Sequence, residues 1–318
     1  MIGGSVMNPL DECHKPLTRD SLLSGTFNYF GNDTHINHVT PTSNCGVFVL
    51  KKIAFTIIKF IGFFLGWAIL TSILPLSSSE NPAIWRLWAE IMPLLAMIAF
   101  TLIFWLSEKK NVRLYLFDNP VKGAALGIVT GIVWLAVPVL VMYIAKIIHF
   151  DGVNSIDLFP VWMLAAFLNV IMQELLVRGY LYQMIKHKHN VVAATIVTTA
   201  LFTALHGGAF EAGVVPVLNV LTMSLLMTVI LEYSGSIIAP TIMHFLWNGI
   251  GALVLGGVSL ADDYPNLLIT TFSGNEILSG GVCKIEGSII VLFVNVILIV
   301  FFMFLKNKQM FMLRQPKK

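Results

Sequence analysis

Residues 158–183 read LFPVWMLAAFLNVIMQELLVRGYLYQ. An α-helix needs about 20 mostly apolar residues to cross a bilayer, and this stretch has them. It also carries Gln173, Glu174 and Arg178 in its interior. Ionisable groups are expensive in hydrocarbon, so a functional site is the first reading of such residues. Two further apolar stretches repeat the spacing: Phe202 and His206 are four residues apart, as are His244 and Asn248. Side chains four apart share one helix face, as Glu174 and Arg178 do.

The rest of the chain has the same solvent preference. Of 318 residues, 57% are hydrophobic and 12% charged, and the mean hydropathy is +0.82. Soluble domains carry about 25% charged residues, so the composition implies an integral membrane protein. The formal net charge is +3, and its basic residues lie in loops and tails without interleaved aromatics. Nucleic-acid binding has no support. Cys13, Cys45 and Cys283 show neither close pairing nor metal-ligand spacing. A Cys13–Cys45 bridge is the lesser reading, against three unpaired cysteines.

Residues 1–46 are polar, rich in Asn, Thr, Gly and Ser, and read as a disordered tail without a signal-peptide core. Its His14, His35 and His38 lack ordered metal-binding spacing. Residues 47–318 form the second unit. Apolar stretches near 53–75, 85–106, 123–148, 158–183, 191–208, 213–232, 236–257 and 287–305 predict an all-α, polytopic transmembrane bundle of about eight helices. Lys51, Lys52, Lys109, Lys110, Arg113 and Lys122 flank the early spans, Lys186 and Lys188 follow the fourth, and Lys306, Lys308 and Arg314 follow the last. Alternate loops carry acids instead, including Glu80, Asp151, Glu211, Asp262 and Asp263. Both termini are therefore expected on the cytoplasmic side of a plasma membrane.

Gly123, Gly127 and Gly131 make overlapping small-xxx-small steps, a close-packing face. Trp85, Trp88 and Trp105 sit near span ends, where indoles favour the interface. Pro93, Pro138 and Pro216 are expected to kink their helices. The loop from about Leu260 to Lys284 reads as a lid or a tether.

Counted from the cytoplasmic ends at ~1.5 Å per residue, Glu174 lies about 18 Å deep, His206 about 24 Å and His244 about 15 Å. The three polar pairs can therefore meet near mid-membrane. A carboxylate and two imidazoles around one small volume can deprotonate and orient a water, and Asn248 can orient His244 or donate to an oxyanion. Arg178 would keep Glu174 ionised. The implied reaction is attack of water on a carbonyl, most simply a peptide bond. Glu174, His206 and His244 would equally serve as a three-ligand zinc site, so the cofactor reading is none or zinc. The bland reading is packing: an ion pair that holds the bundle and histidines bonded to carbonyls. Asn169 and Asn219 read as packing residues, Asn169 less firmly because it lies one turn before Gln173.

At these residues the chain resembles the CPBP family, the CAAX protease and bacteriocin-processing intramembrane proteases, also called Abi proteins. The family pattern is Glu-Glu-x-x-x-Arg, then Phe-x-x-x-His, then His-x-x-x-Asn or Asp on successive helices. Here the stretches are IMQELLVRGYLYQ (171–183), ALFTALHGG (200–208) and EYSGSIIAPTIMHFLWNGIG (232–251), within a core of about 158–257. The resemblance implies an intramembrane endopeptidase acting on a peptide or membrane-protein substrate. It also implies Glu174, Arg178, His206, His244 and Asn248 as site residues, and both metal-dependent and metal-free mechanisms have been proposed for the family.

One position departs from the pattern. The family's first glutamate, usually assigned as the group that activates water, is Gln173 here, and an amide cannot accept that proton. Three outcomes follow: Glu174 takes the base role through a shifted water or a distorted helix, the change traps substrate, or the chain is a catalytically silent binding, regulatory or peptide-immunity protein. A transporter is a weaker reading, because no hydrophilic path is visible.

Overall fold

The computed structural model describes residues 43–75, 78–261 and 263–314. The polar stretch with His14, His35 and His38, and the partner that Cys45 would need at Cys13, lie outside those residues. The chain divides into two compact units, Met1–Ile58 and Lys59–Lys318. Of the first, the described residues are the opening turns of helix α1 (Ser43–Ile73). The second holds everything discussed below.

The protein is a polytopic helical membrane protein. After α1 come α2 (Pro82–Ser107), α3 (Pro120–Ile144), strand β1 (Ile148–Val153), α4 (Phe159–Lys188), α5 (Val191–Ala204), the short α6 (Gly207–Ala212) and α7 (Val214–Ser234). Then follow α8 (Ile238–Val254), β2 (Leu268–Phe272), α9 (Glu276–Ser279), a 3-10 stretch Gly281–Gly287 and α10 (Ile289–Arg314). Among the described residues six helices, α1, α2, α3, α4, α7 and α10, are long and apolar enough to cross a membrane, while α5 and α8 are shorter apolar helices. Together they account for the eight apolar stretches of the sequence. Leu102, Ile103, Val137, Ile297 and Phe304 are exposed on these helices, a surface suited to lipid chains rather than water.

Local chemistry sets the helix ends. Asn81 starts α2 by accepting from the Ala83 and Ile84 amides at 3.0 and 3.3 Å, with Pro82 next, where its missing N–H costs nothing. Asn190 caps α5 through the Ala193 amide at 2.8 Å. Gly235 ends α7 in the left-handed region at φ 67°, as a glycine stop does. Pro93 and Pro138 lie inside α2 and α3. Pro216 instead falls in the first turn of α7, where its absent N–H would have had no helical partner, so it removes no helical bond.

The stretch read as a single span over 191–208 is interrupted. The Phe202 carbonyl accepts from the His206 ring Nδ1 at 2.7 Å, and the His206 backbone N–H turns to Thr203 O at 3.1 Å. The i→i+4 ladder is thereby broken just before Gly207 and Gly208, both weak helix formers.

Two polar knots tie one end of the bundle. Glu108, after α2, accepts from Lys59 at 2.6 Å, Lys188 at 2.8 Å and Tyr180 at 3.2 Å. Burial alone would raise this carboxyl, but the bonds and charges of Lys188 and Lys59 hold it below its ordinary value. Glu232 accepts from Lys306 at 2.7 Å, Tyr182 at 3.1 Å and Lys186. At the other end β1 pairs antiparallel with β2, Ile148 opposite Phe272. The segment read as lid or tether is therefore partly ordered into a two-stranded sheet.

The glycine face of α3 seats α8. A Cβ on Gly127 would lie 2.6 Å from the Ala239 carbonyl oxygen, and one on Gly131 would lie 2.8 Å from Leu246 Cδ1. By contrast, a Cβ on Gly62 would meet only Phe104, at 3.8 Å. Gly127→Ala is therefore expected to destabilise by about 1–3 kcal/mol through overpacking, whereas Gly62→Ala should gain a few tenths to about 1 kcal/mol of helix propensity. Thermal unfolding of both variants in detergent tests this; equal midpoints would refute the contact.

Candidate active site

Glu174 and Arg178 are fully buried on α4. One carboxylate oxygen, Glu174 Oε1, accepts from Arg178 NH1 at 2.8 Å and from His244 Nδ1 at 2.9 Å. Arg178 NH2 also donates to Ser224 O at 3.0 Å and Ser224 Oγ at 3.1 Å on α7, so a single ion pair joins α4, α7 and α8. A carboxylate paired with arginine only accepts, so His244 carries its proton on Nδ1 and presents Nε2 as an acceptor. Asn248 Nδ2 lies 3.4 Å from that nitrogen, which leaves its second N–H for another acceptor.

Both helices distort at this point. Leu175–Leu181 and Leu246–Val254 are π-helical, beginning one residue after Glu174 and two after His244, and Gly179 leaves helical geometry altogether at ψ −116°. Stretches of this kind often sit at functional sites because they re-aim side chains.

His206 lies in the break between α5 and α6. Its Nδ1 must donate to the Phe202 carbonyl, since a carbonyl only accepts, so its Nε2 is a lone pair. The Phe202 ring packs against His206 with centroids 4.3 Å apart and the planes tilted by 35°, lies 6.1 Å from His244, and sits under the Arg178 guanidinium at 5.3 Å. One phenyl ring therefore touches all three motifs.

A cavity of about 440 Å³ is lined by Gln173, His206, His244 and Asn248 together. Glu174 and Arg178 are not among its lining residues; they lie behind His244. Gln173 belongs to a chain of its own. Its Nε2 donates to Asn169 Oδ1 at 2.5 Å, and Asn169 Nδ2 donates to Glu90 Oε2 at 2.8 Å. Glu90 Oε1 accepts from Arg86 at 3.2 Å and from Tyr264 at 3.3 Å. Because a carboxylate accepts only, Glu90 fixes the Asn169 amide, which in turn fixes that of Gln173. The oxygen of Gln173 is the end left for the cavity.

Asn169 is thus part of the site's polar chain, while Asn219 packs, donating to the carbonyls of Glu286 and Ser288 at 2.7 and 2.9 Å. A smaller apolar cavity of about 210 Å³ reaches Gln173 and His206 from the other side, between Trp67, Leu176 and Phe202.

Sequence reasoning missed Glu90, Arg86, Tyr264, Ser224 and Glu286. Glu286 lines the same cavity and accepts from Trp247 Nε1 at 3.0 Å and the Ser259 amide at 3.2 Å. Glu90 was open to the same rule that singled out Glu174, being a carboxylate inside an apolar span. Arg86, four residues before Glu90, repeats the spacing of Glu174 and Arg178, whereas Tyr264, Ser224 and Glu286 carried no signal of spacing.

The zinc set does not fit this geometry. Glu174 Oε1 faces the Nδ1 proton of His244 rather than a shared centre, Glu174 is absent from the cavity wall, and His206 turns Nδ1 to a carbonyl. Among the described residues no three His, Cys, Asp or Glu side chains are grouped to hold a metal ion.

Residues 155–250 match the family model of type II CAAX prenyl endopeptidase Rce1-like proteins. The matched stretch, under a third of the chain, is similar to these CPBP-type proteins. It spans all three motifs. No curated protein and no solved structure matches the chain.

In the Rce1-like segment, removing one partner of the buried pair strands the other charge. Arg178→Met should cost about 3–5 kcal/mol, against at most about 1.5–3 kcal/mol for Ser224→Ala, which removes one acceptor of the charged Arg178 NH2 and leaves the Ser224 carbonyl as the other. Denaturant unfolding in micelles measures both; similar losses for the two variants would show that the ion pair does not hold these helices.

Proposed function

We propose that the protein is an intramembrane endopeptidase of the plasma membrane, with both termini cytoplasmic, that hydrolyses a peptide or membrane-protein substrate with an activated water. The supporting observation is that Gln173, His206, His244 and Asn248 line one cavity, where His206 offers a bare Nε2 and Asn248 a free N–H.

His206 is the base in this reading. A water held by the Gln173 oxygen gives one proton to His206 Nε2 as its own oxygen bonds to the scissile carbonyl carbon. The carbonyl oxygen becomes an oxyanion that accepts from Asn248 Nδ2. Collapse re-forms the carbonyl and breaks the C–N bond, and the proton on His206 passes to the leaving nitrogen, so a carboxylic acid and an amine are released. Glu174 is a positioning residue: it holds His244, which holds Asn248. This assignment replaces Glu174 as base, because Glu174 lies behind the wall and its bonded oxygen is shared by Arg178 and His244.

A second reading is a catalytically silent protein with a binding or peptide-immunity role, favoured by the amide at position 173. The two separate in liposomes with a quenched fluorescent peptide carrying a farnesylated cysteine, assayed beside its unfarnesylated form. Expected results are cleavage by the natural chain, a loss of about 10²–10⁴-fold in His206→Ala and of about 10²–10³-fold in Asn248→Ala. Gln173→Glu should be faster and keep its activity to lower pH, since a carboxylate then shares the base role. Cleavage by Gln173→Glu alone would establish the silent reading; no cleavage by either would overturn the peptidase.

A further inference from the structure

The cavity and the positive charge of the bundle lie at opposite ends. At one end the Glu108 and Glu232 knots join the ends of α2, α4 and α7 to Lys59 and Lys306. Lys109, Lys110, Arg113, Lys122 and Lys308 lie in the same connections and helix ends, and among the described residues Asp118 is the further acid there. The Ile237 N–H donates to the Tyr115 carbonyl at 3.1 Å at this end.

The opposite end gathers the start of α2, the 205–213 connection, the end of α8 and residues 256–288. Its charge balance is reversed: Arg86, Lys146 and Lys284 stand against Glu80, Asp151, Asp157, Glu211, Asp263 and Glu276. Arg86 is itself bonded to Asp263 at 2.8 Å.

The cavity belongs to that acidic end. Its exposed wall residues, Leu205, Gly207, Gly208, Ser259 and Ala261, all come from connections there. Its deep residues, Ala166, Met223, His244 and Asn248, are buried. Lys188 lies fifteen steps beyond Gln173 along α4, ~22 Å at 1.5 Å per residue. This depth is filled by Leu181, Met184, Met227 and Ile230, all completely buried. Water and peptide therefore reach His206 from the acidic end.

Short loops rich in Lys and Arg stay in the cytoplasm. We infer that the cavity opens on the non-cytoplasmic face of the membrane and that its substrate is a peptide segment presented there, such as a secreted peptide or the outer juxtamembrane stretch of a membrane protein. The inference rests on the reading of this cavity as the site of cleavage, and it separates the chain from processing of cytosolic prenylated tails.

Thiol accessibility tests the face without reference to activity. In the full chain with Cys13→Ser, Cys45→Ser and Cys283→Ser, a single cysteine is introduced as Val282→Cys at the cavity end, where Val282 is 84% exposed, or as Lys308→Cys at the basic end. Spheroplasts are treated with a membrane-impermeant maleimide before and after permeabilisation. The expected result is labelling of Val282→Cys in intact spheroplasts and of Lys308→Cys only after permeabilisation. The reverse pattern, equal labelling of both, or labelling of neither before permeabilisation would overturn the inference while leaving the peptidase reading to its own assay. In a second arm the quenched peptide is added outside intact spheroplasts; cleavage there at the rate seen after permeabilisation supports the outer face, and cleavage only after permeabilisation refutes it.

Discussion

The buried ion pair of Glu174 and Arg178 is the constraint from which the rest of the site follows. Two full charges in a low-dielectric bundle carry a large desolvation cost, which their mutual attraction and hydrogen bonds must offset. Arg178 reaches Ser224 with its second terminal nitrogen, and Glu174 draws in His244 through Oε1, while Arg178 Nε and Glu174 Oε2 stay buried without a hydrogen-bond partner. Those bonds set which nitrogen of His244 carries the proton, and through it the direction of the Asn248 amide. The histidine at the cavity wall is held by a charge that never touches the cavity.

Packing delivers the helices to that arrangement. With no water to expel between helices in lipid, close approach of backbones substitutes for hydrophobic burial, and the glycines of α3 let α8 come close enough for His244 to meet Glu174. Trp134 and Trp247 then stack at 4.2 Å across the same interface, and Trp134 donates to Asn295 at 2.6 Å on α10. Phe202 contributes in a different way, as a ring wedged between Arg178 and both imidazoles.

The apolar runs made the helices readable from sequence, because length and hydropathy alone separate a span from a loop in a bilayer. The i,i+4 pairs were readable for a similar reason: three of them in apolar context are costly. Which of Gln173 and Glu174 faces the cavity was not readable, since the answer depends on where the α-helical ladder gives way. The break at His206 was hidden as well, because it depends on a ring nitrogen displacing a backbone N–H. Glu90 lay in plain view at the start of α2, yet its meaning required a partner 79 residues away, Asn169.

The π-helical stretches after Glu174 and His244 have a consequence for how the two halves of each helix relate. Each i→i+5 turn takes up one residue more than an α-turn, so the residues beyond it arrive about 100° out of phase with those before it. In α4 this uncouples the upper face, committed to Asn169, Gln173 and Glu174, from the lower face, committed to Tyr180, Tyr182 and the charged end. The lower half can accept substitutions that suit its own neighbours without turning the upper half away from the histidines. A one-residue deletion within Leu175–Leu181 would restore phase, and with it a straight helix whose two faces could no longer both be satisfied.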